Sequence, residues 1–502
     1  MARRLWSGFP SLSWVNRLAP DRDEVEGLVL SGGGSRASFQ TGALRYLYDR
    51  ANISPSVMVG TSAGSVLAAA LSQSLDRQGQ IEVLDRIEEL WLSMTHSDQM
   101  FAPRPWFQRL QDRGGEWMAL IQQESQRPPP SFTLPKITLP HLRTPSVPEP
   151  SVDEQAVDPA ELSGAELTLH IAMSEPRPTG QALGPGAVLP LLSMLPRLRT
   201  AGGDLSLILR GADASRSMFH PGEILMRLLD GEIFRSDRTR DSGVTVRISM
   251  VALESGELRF MTEDGTMVDR ENNPLPDIPA ADLSLGALAS CAIPGVFAPV
   301  RIGDEWYVDG GTREATPAEM ALGPLDVDRC YVVVSSPVEN PRAESFASKS
   351  MLHILMRSAE ILTDEAERDE VAMARSSGAL VIEPDLFVHD AITVDPGLLR
   401  INRDYGWLRA AEAHLGLPVS VADVHRKVIE LRLEALSLER RVLADPTVEA
   451  DLLDLARLKW SIRDQVDLLD ANRLPAGSQR WWADWESHPE PVTLPPTWRS
   501  VP

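Results

Sequence analysis

"VEGLVLSGGGSRASFQTGAL" (Val25–Leu44) and "VMVGTSAGSVLAAALSQSL" (Val57–Leu75) share one layout: a short apolar run, a glycine-bearing turn, then at once a helical pattern. Two such units in succession open a parallel α/β sheet, because parallel neighbours need a crossover connection and a helix is the usual one. Short apolar runs recur at Val244–Val251, Arg259–Met261, Tyr331–Val334 and Leu380–Ile382, with helical segments between several of them. The sheet is expected to resume there.

The turns carry the chemistry. Gly60, Ser62 and Gly64 form G-x-S-x-G where a strand meets a helix, the setting of a nucleophile elbow. Two readings of Ser62 stand: an attacking serine favoured by the positive end of the helix dipole, or a serine that only caps the helix. Gly32, Gly33 and Gly34 lie at the first turn with Arg36 just beyond. Converging backbone N–H groups there suit either a phosphate or the oxyanion that forms when a serine attacks an ester. Gly32, Gly34 and Ala37 satisfy G-x-G-x-x-A, but "ISPSVMVGTSAG" has no acidic residue where a dinucleotide site needs one for the ribose. No GK[ST] follows the glycines, so an ATP-type loop is excluded as well. In "GDEWYVDGGTREATP", Asp309 closes an apolar stretch and precedes Gly310 and Gly311. It reads as a turn residue, or as a carboxylate brought close to Ser62 to accept its proton.

Taken together and in this order, the three motifs resemble the patatin-like phospholipase family. The lead-in "ASCAIPGVFAPVRIGDEWYVDGG" is similar too. The resemblance covers about residues 24–100 and 215–385 and implies a three-layer α/β/α core with a mostly parallel central sheet. It implies Ser62 as nucleophile and Asp309 as its partner in a Ser-Asp dyad, with Gly32, Gly33 and Gly34 as oxyanion loop and Arg36 as the basic residue after it. Gly60, Gly64, Gly310 and Gly311 support the motifs. The implied activity is hydrolysis of lipid carboxylic esters, of the phospholipase A or lysophospholipase kind, with no metal or other cofactor. The implied partner is a lipid substrate at a membrane or micelle surface. Ala37 stands where the family usually has glycine, and "TREATP" replaces an asparagine-proline pairing; both bear on loop geometry.

Composition narrows the remaining classes. The 502 residues carry 49 basic and 71 acidic side chains, a formal charge of -22, which opposes binding to nucleic acid. Cys291 and Cys330 are far apart, so neither a disulfide framework nor a CxxC zinc site is expected. The first 23 residues lack an apolar stretch of signal-peptide length, and no run of about 18 apolar residues occurs anywhere. A cytoplasmic protein, soluble or peripheral at a membrane, is the expectation.

Along the chain the expected units are an N-terminal arm (1–23), the catalytic core (24–100 and 215–385), a proline-rich insertion serving as a lid or surface excursion (101–214), a C-terminal helical region (386–485) and an extended tail (486–502). Nine prolines between Pro128 and Pro159 exclude a helix or central strand there. From Val421 to Val442 apolar residues step by three and four, and a second stretch runs from Leu452 to Leu469 with Lys459 interrupting it. A helical hairpin follows, packed on its own domain, on a second copy or on a partner protein. Two rival functions stay open: a Ser-His-Asp esterase using His389, and a binding or scaffold protein with latent activity.

Overall fold

The computed structural model describes residues 24–109, 211, 214–229, 231–337, 351–486 and 498. The N-terminal arm, nearly all of the proline-rich insertion and most of the tail lie outside them. β1 (Glu26–Leu30) passes through a single 3₁₀ turn into α1 (Ala37–Tyr46), and β2 (Val57–Gly60) feeds α2 (Ala63–Leu71) and α3 (Arg77–Leu92). β3 (Phe101–Pro103) and β4 (Phe219–Pro221) pair as a separate antiparallel ribbon. After α4 (Glu223–Leu229) and α5 (Ser236–Ser242) come β5 (Thr245–Ala252), β6 (Leu258–Thr262), β7 (Met267–Val268), α6 (Leu283–Ser290), β8 (Val300–Ile302) and β9 (Glu305–Asp309). The chain continues through α7 (Ala318–Leu322), β10 (Arg329–Val333), α8 (Met351–Ser376), β11 (Leu380–Ile382), α9 (Pro396–Leu415), α10 (Val419–Ala444) and α11 (Glu449–Val466).

The main sheet runs β11-β10-β1-β2-β5-β6-β7, parallel from β11 to β5 and antiparallel beyond. Its strands are continuous apolar runs because both faces are covered. Leu28, Leu30, Met58, Tyr331 and Val333 face one core with Phe39, Val66 and Leu67 from the helices. The alternate residues Val29, Val57, Val59, Cys330 and Val332 face a second core with Ala318, Met320, Val371 and Ala374 from α7 and α8. The period of two along each strand thus divides the molecule into three α/β/α layers.

One feature of register positions the site. β2 pairs with Thr245–Ile248 of β5, and antiparallel β9 pairs with Met250–Ala252, while β6 spans both stretches. A strand has two edges, so β9 occupies the edge of β5 that β2 leaves free where it ends. The last residue of β9, Asp309, therefore arrives just beyond the last residue of β2.

The C-terminal helices join the first core. Gly42 of α1 and Gly406 of α9 permit a close crossing, since a Cβ on either would overlap a backbone carbonyl of the other helix. Phe39 and Tyr405 meet edge to face at 5.5 Å, and Tyr46 and Trp407 at 5.3 Å. α10 and α11 form the hairpin expected from the heptad-like spacing, with the reversal at Asp445–Val448. Lys459 is no interruption. It is fully buried, its Nζ lies 2.6 Å from Glu439 Oε1, and it also donates to the Asp484 carbonyl at 2.9 Å. A cation inside an apolar stripe is stable when a buried carboxylate faces it, a pairing that periodicity alone does not reveal.

Candidate active site

Ser62 sits between β2 and α2 with φ 52° and ψ −129°, a conformation rarely held by a residue with a side chain. Its neighbours make the bend feasible. A Cβ on Gly60 would lie 2.6 Å from the Gly64 carbonyl oxygen, and one on Gly64 2.5 Å from that of Ser31. Ser62 makes no side-chain cap bond to α2. Its backbone N–H instead donates to Ser290 Oγ at 2.9 Å, and its carbonyl accepts from Ser65 Oγ at 2.6 Å.

The Ser62 side chain lies against the Asp309 carboxyl, near enough to pull its pKa down. Both are 5% exposed. Burial pushes the Asp309 carboxyl up to about 6, against the opposing pull of the Ser62 side chain and of a hydrogen bond from the Gly311 N–H. That bond is 2.8 Å long. Gly310 packs so tightly on Ser249 that a side chain has no room, and Thr61 Oγ1 lies 2.6 Å from Ser249 Oγ. Such an aspartate is ionised at neutral pH and yet close enough to titration to exchange a proton.

The family model for patatin-like phospholipase matches residues 28–174 and 193–322, more than half of the chain. The chain belongs to the patatin-like phospholipase family. Membership makes lipid acyl hydrolysis its general class of activity, and lipids its class of substrate. Among solved structures, it is similar to VipD from Legionella pneumophila, at 13% identity over 95% of this chain and 91% of that one, with a TM-score of 0.26. ExoU from Pseudomonas aeruginosa, in its complex with SpcU, is similar at 14% identity over 92% of this chain and 69% of that one, with a TM-score of 0.20. No curated protein matches by sequence.

The glycine loop of this patatin-like site is more differentiated than its spelling. The Gly32 N–H is not available as an oxyanion donor, because it donates to the Ala315 carbonyl at 3.0 Å. The Gly33 and Gly34 N–H groups have no acceptor among the described residues. Gly32 itself abuts Ser62, a Cβ there lying 3.3 Å from the serine Cβ. Arg36 follows the loop, with its Nε buried and unpartnered and its charge acting on the buried Glu367 carboxyl. The departing "TREATP" segment anchors this region. Ala315 holds Gly32, the Thr316 N–H donates to Glu370 at 2.7 Å, and Thr316 Oγ1 donates to Glu367 at 3.1 Å.

Beside Ser62 lies a narrow apolar pocket lined by Trp91, Met100, Phe101, Leu228 and Phe297, among others. An acyl chain suits such a lining. His389 does not fill the rival's role. His389 is buried, its Nδ1 lies 2.6 Å from the Asp390 carbonyl oxygen, and its Nε2 has no hydrogen-bond partner, so it does not bridge Ser62 and Asp309. His414 and His425 are engaged elsewhere, with Tyr46 and Glu412. Among the described residues no group of His, Cys, Asp or Glu is arranged to hold a metal ion, and no helix is long and apolar enough to cross a membrane. Ser249, Ser290 and Ser335 were invisible to motif reading, since each is a single serine with no spacing that ties it to a site.

Proposed function

We propose that this protein is a serine lipid acyl hydrolase of the phospholipase A or lysophospholipase kind, working through Ser62 and Asp309 by way of an acyl-enzyme. The observation that carries this reading is a conformationally strained serine at the head of α2 lying against a buried aspartate, near enough to pull its pKa down. Ser62 Oγ attacks the ester carbonyl while Asp309 takes its proton. The Gly33 and Gly34 N–H groups receive the oxyanion, and the positive end of α2 favours the attacking alkoxide. Collapse expels the alcohol, which regains the proton from Asp309. Water then attacks the acyl-serine, giving a proton to Asp309, which returns it to Ser62 Oγ as the fatty acid leaves.

An aspartate is a weaker base than imidazole, so preorganised donors must contribute more of the rate here. Removing one oxyanion donor typically costs about a hundredfold or more. The apolar lining of the pocket beside Ser62 favours an apolar acyl group over a polar one.

The test is incubation with a mixed lipid extract, reading which species disappear against Ser62→Ala, together with labelling by a serine-directed fluorophosphonate. Loss of both turnover and labelling in Ser62→Ala is expected. Persistent labelling of that variant would remove Ser62 from its role, and an unchanged lipid profile with the native chain would favour the scaffold reading.

A further inference from the structure

The oxyanion turn is gripped from two sides, one of them the C-terminal region beyond β11. From within the core, Gln40 Nε2 donates to the Ser31 carbonyl at 2.8 Å, and Ser335 Oγ donates to the Gly32 carbonyl. From the C-terminal region, the Ala391 carbonyl accepts the Ser35 N–H at 2.9 Å. Asn402 on α9 is 4% exposed, and its Nδ2 donates to the Arg36 carbonyl at 3.2 Å and to Ser38 Oγ at 2.9 Å. Gly34, at φ 54°, lies against Ala391 with no room for a Cβ.

We propose that Asn402 is a positioning residue for ester hydrolysis: with the Ala391 carbonyl, it holds the turn that presents the Gly33 and Gly34 N–H groups to the oxyanion. This rests on the Ser62–Asp309 reading. The physical argument is one of alternatives. Gly33 and Gly34 are joined to β1 at one end and to α1 at the other, and glycines resist displacement weakly. The turn keeps its shape because the groups just after it, at Ser35, Arg36 and Ser38, are tied to a segment that is itself fastened to α1 by the Gly42–Gly406 crossing. Asn402 touches neither substrate nor nucleophile. It acts through the backbone, where a misplacement of about 1 Å is enough to lose a hundredfold in rate.

Asn402→Leu keeps the side-chain size and removes the donor. With a soluble p-nitrophenyl ester, kcat of the full chain is expected to fall about tenfold or more with KM within about twofold, and fluorophosphonate labelling to slow in parallel. Ser38→Ala removes one of the two partners and is expected to lower kcat in the same way by a smaller factor. It decides the matter by itself if Asn402→Leu does not fold. Ile401→Val, on the same helix and buried in the apolar core, controls for general destabilisation and is expected to keep native kcat. The proposal is overturned if the Asn402 and Ser38 variants retain kcat, if the loss is in KM alone, or if Ile401→Val loses as much. Ser62→Ala run alongside separates this outcome from failure of the dyad reading, since labelling that survives in that variant indicts the dyad and not the turn.

Discussion

The Ser62 side chain lies against the buried Asp309 carboxylate, and the serine is held there at φ 52°. The register of β2 and β9 on β5 brings them together. Strain at one residue is sustained by surroundings that leave it no alternative: Gly60, Gly64 and Gly310 are each packed to the point where a Cβ would collide.

That strain is measurable. Ser62→Gly and Ser62→Ala both lack the hydroxyl and both should be inactive. The glycine variant should nevertheless be the more stable by roughly 1 kcal/mol, because it alone relieves the positive φ. Urea unfolding of the pair isolates this difference, and equal midpoints would mean that the elbow holds no strain.

Acylation should follow the ionisation of Asp309. Its carboxyl is raised to about 6, so the rate with a soluble ester should climb as pH rises through 6 and level off above it. Asp309→Asn should lose the activity and leave no such rise in what remains. A native profile flat from pH 5 to 8 would exclude Asp309 as the base.

Glu314, Glu367 and Glu370 cluster around Thr316, all with carboxyl groups raised by burial, Glu314 to about 7 and Glu370 to about 8. A folded-state value above the unfolded one favours the protonated form. Its contribution is complete below the unfolded value of about 4.5 and is lost as pH rises through the folded one. Stability should therefore decline from pH 5 towards 9, and Glu370→Gln should reduce that decline. Thermal melts across this range test it; an identical slope in the variant would refute it.

The buried Lys459–Glu439 pair should be far less tolerant of single than of paired replacement. Lys459→Met removes the cation that faces the buried Glu439 carboxylate and should destabilise by about 3–5 kcal/mol. Adding Glu439→Gln should recover a large part of that, since the glutamine is neutral and can still accept from the Glu486 N–H. Denaturant unfolding of the single and double variants gives the coupling.

The fold was legible because β1 and β2 are buried on both faces and each feeds a helix through glycine, patterns contained within twenty consecutive residues. Ser62, Gly60 and Gly64 were legible for the same reason, as the elbow's geometry is local. Asp309 could be singled out only by resemblance, since nothing in "DGG" itself states what the aspartate faces. Gly32 was assigned with its neighbours as an oxyanion donor. The structure gives its N–H to Ala315, and no local pattern records a partner so far along the chain.

The sequence by itself determined the two strand-turn-helix units, the serine set between glycines at a strand-to-helix turn and the helical hairpin, because these follow from side-chain size, backbone freedom and periodicity over short spans. Only the tertiary structure decided which carboxylate meets Ser62, which glycine amides stay free, and that Asn402 and Ala391 close on the oxyanion turn. Those outcomes depend on strand register and helix crossing, where residues hundreds of positions apart are brought within hydrogen-bonding distance by packing that no single stretch of chain encodes.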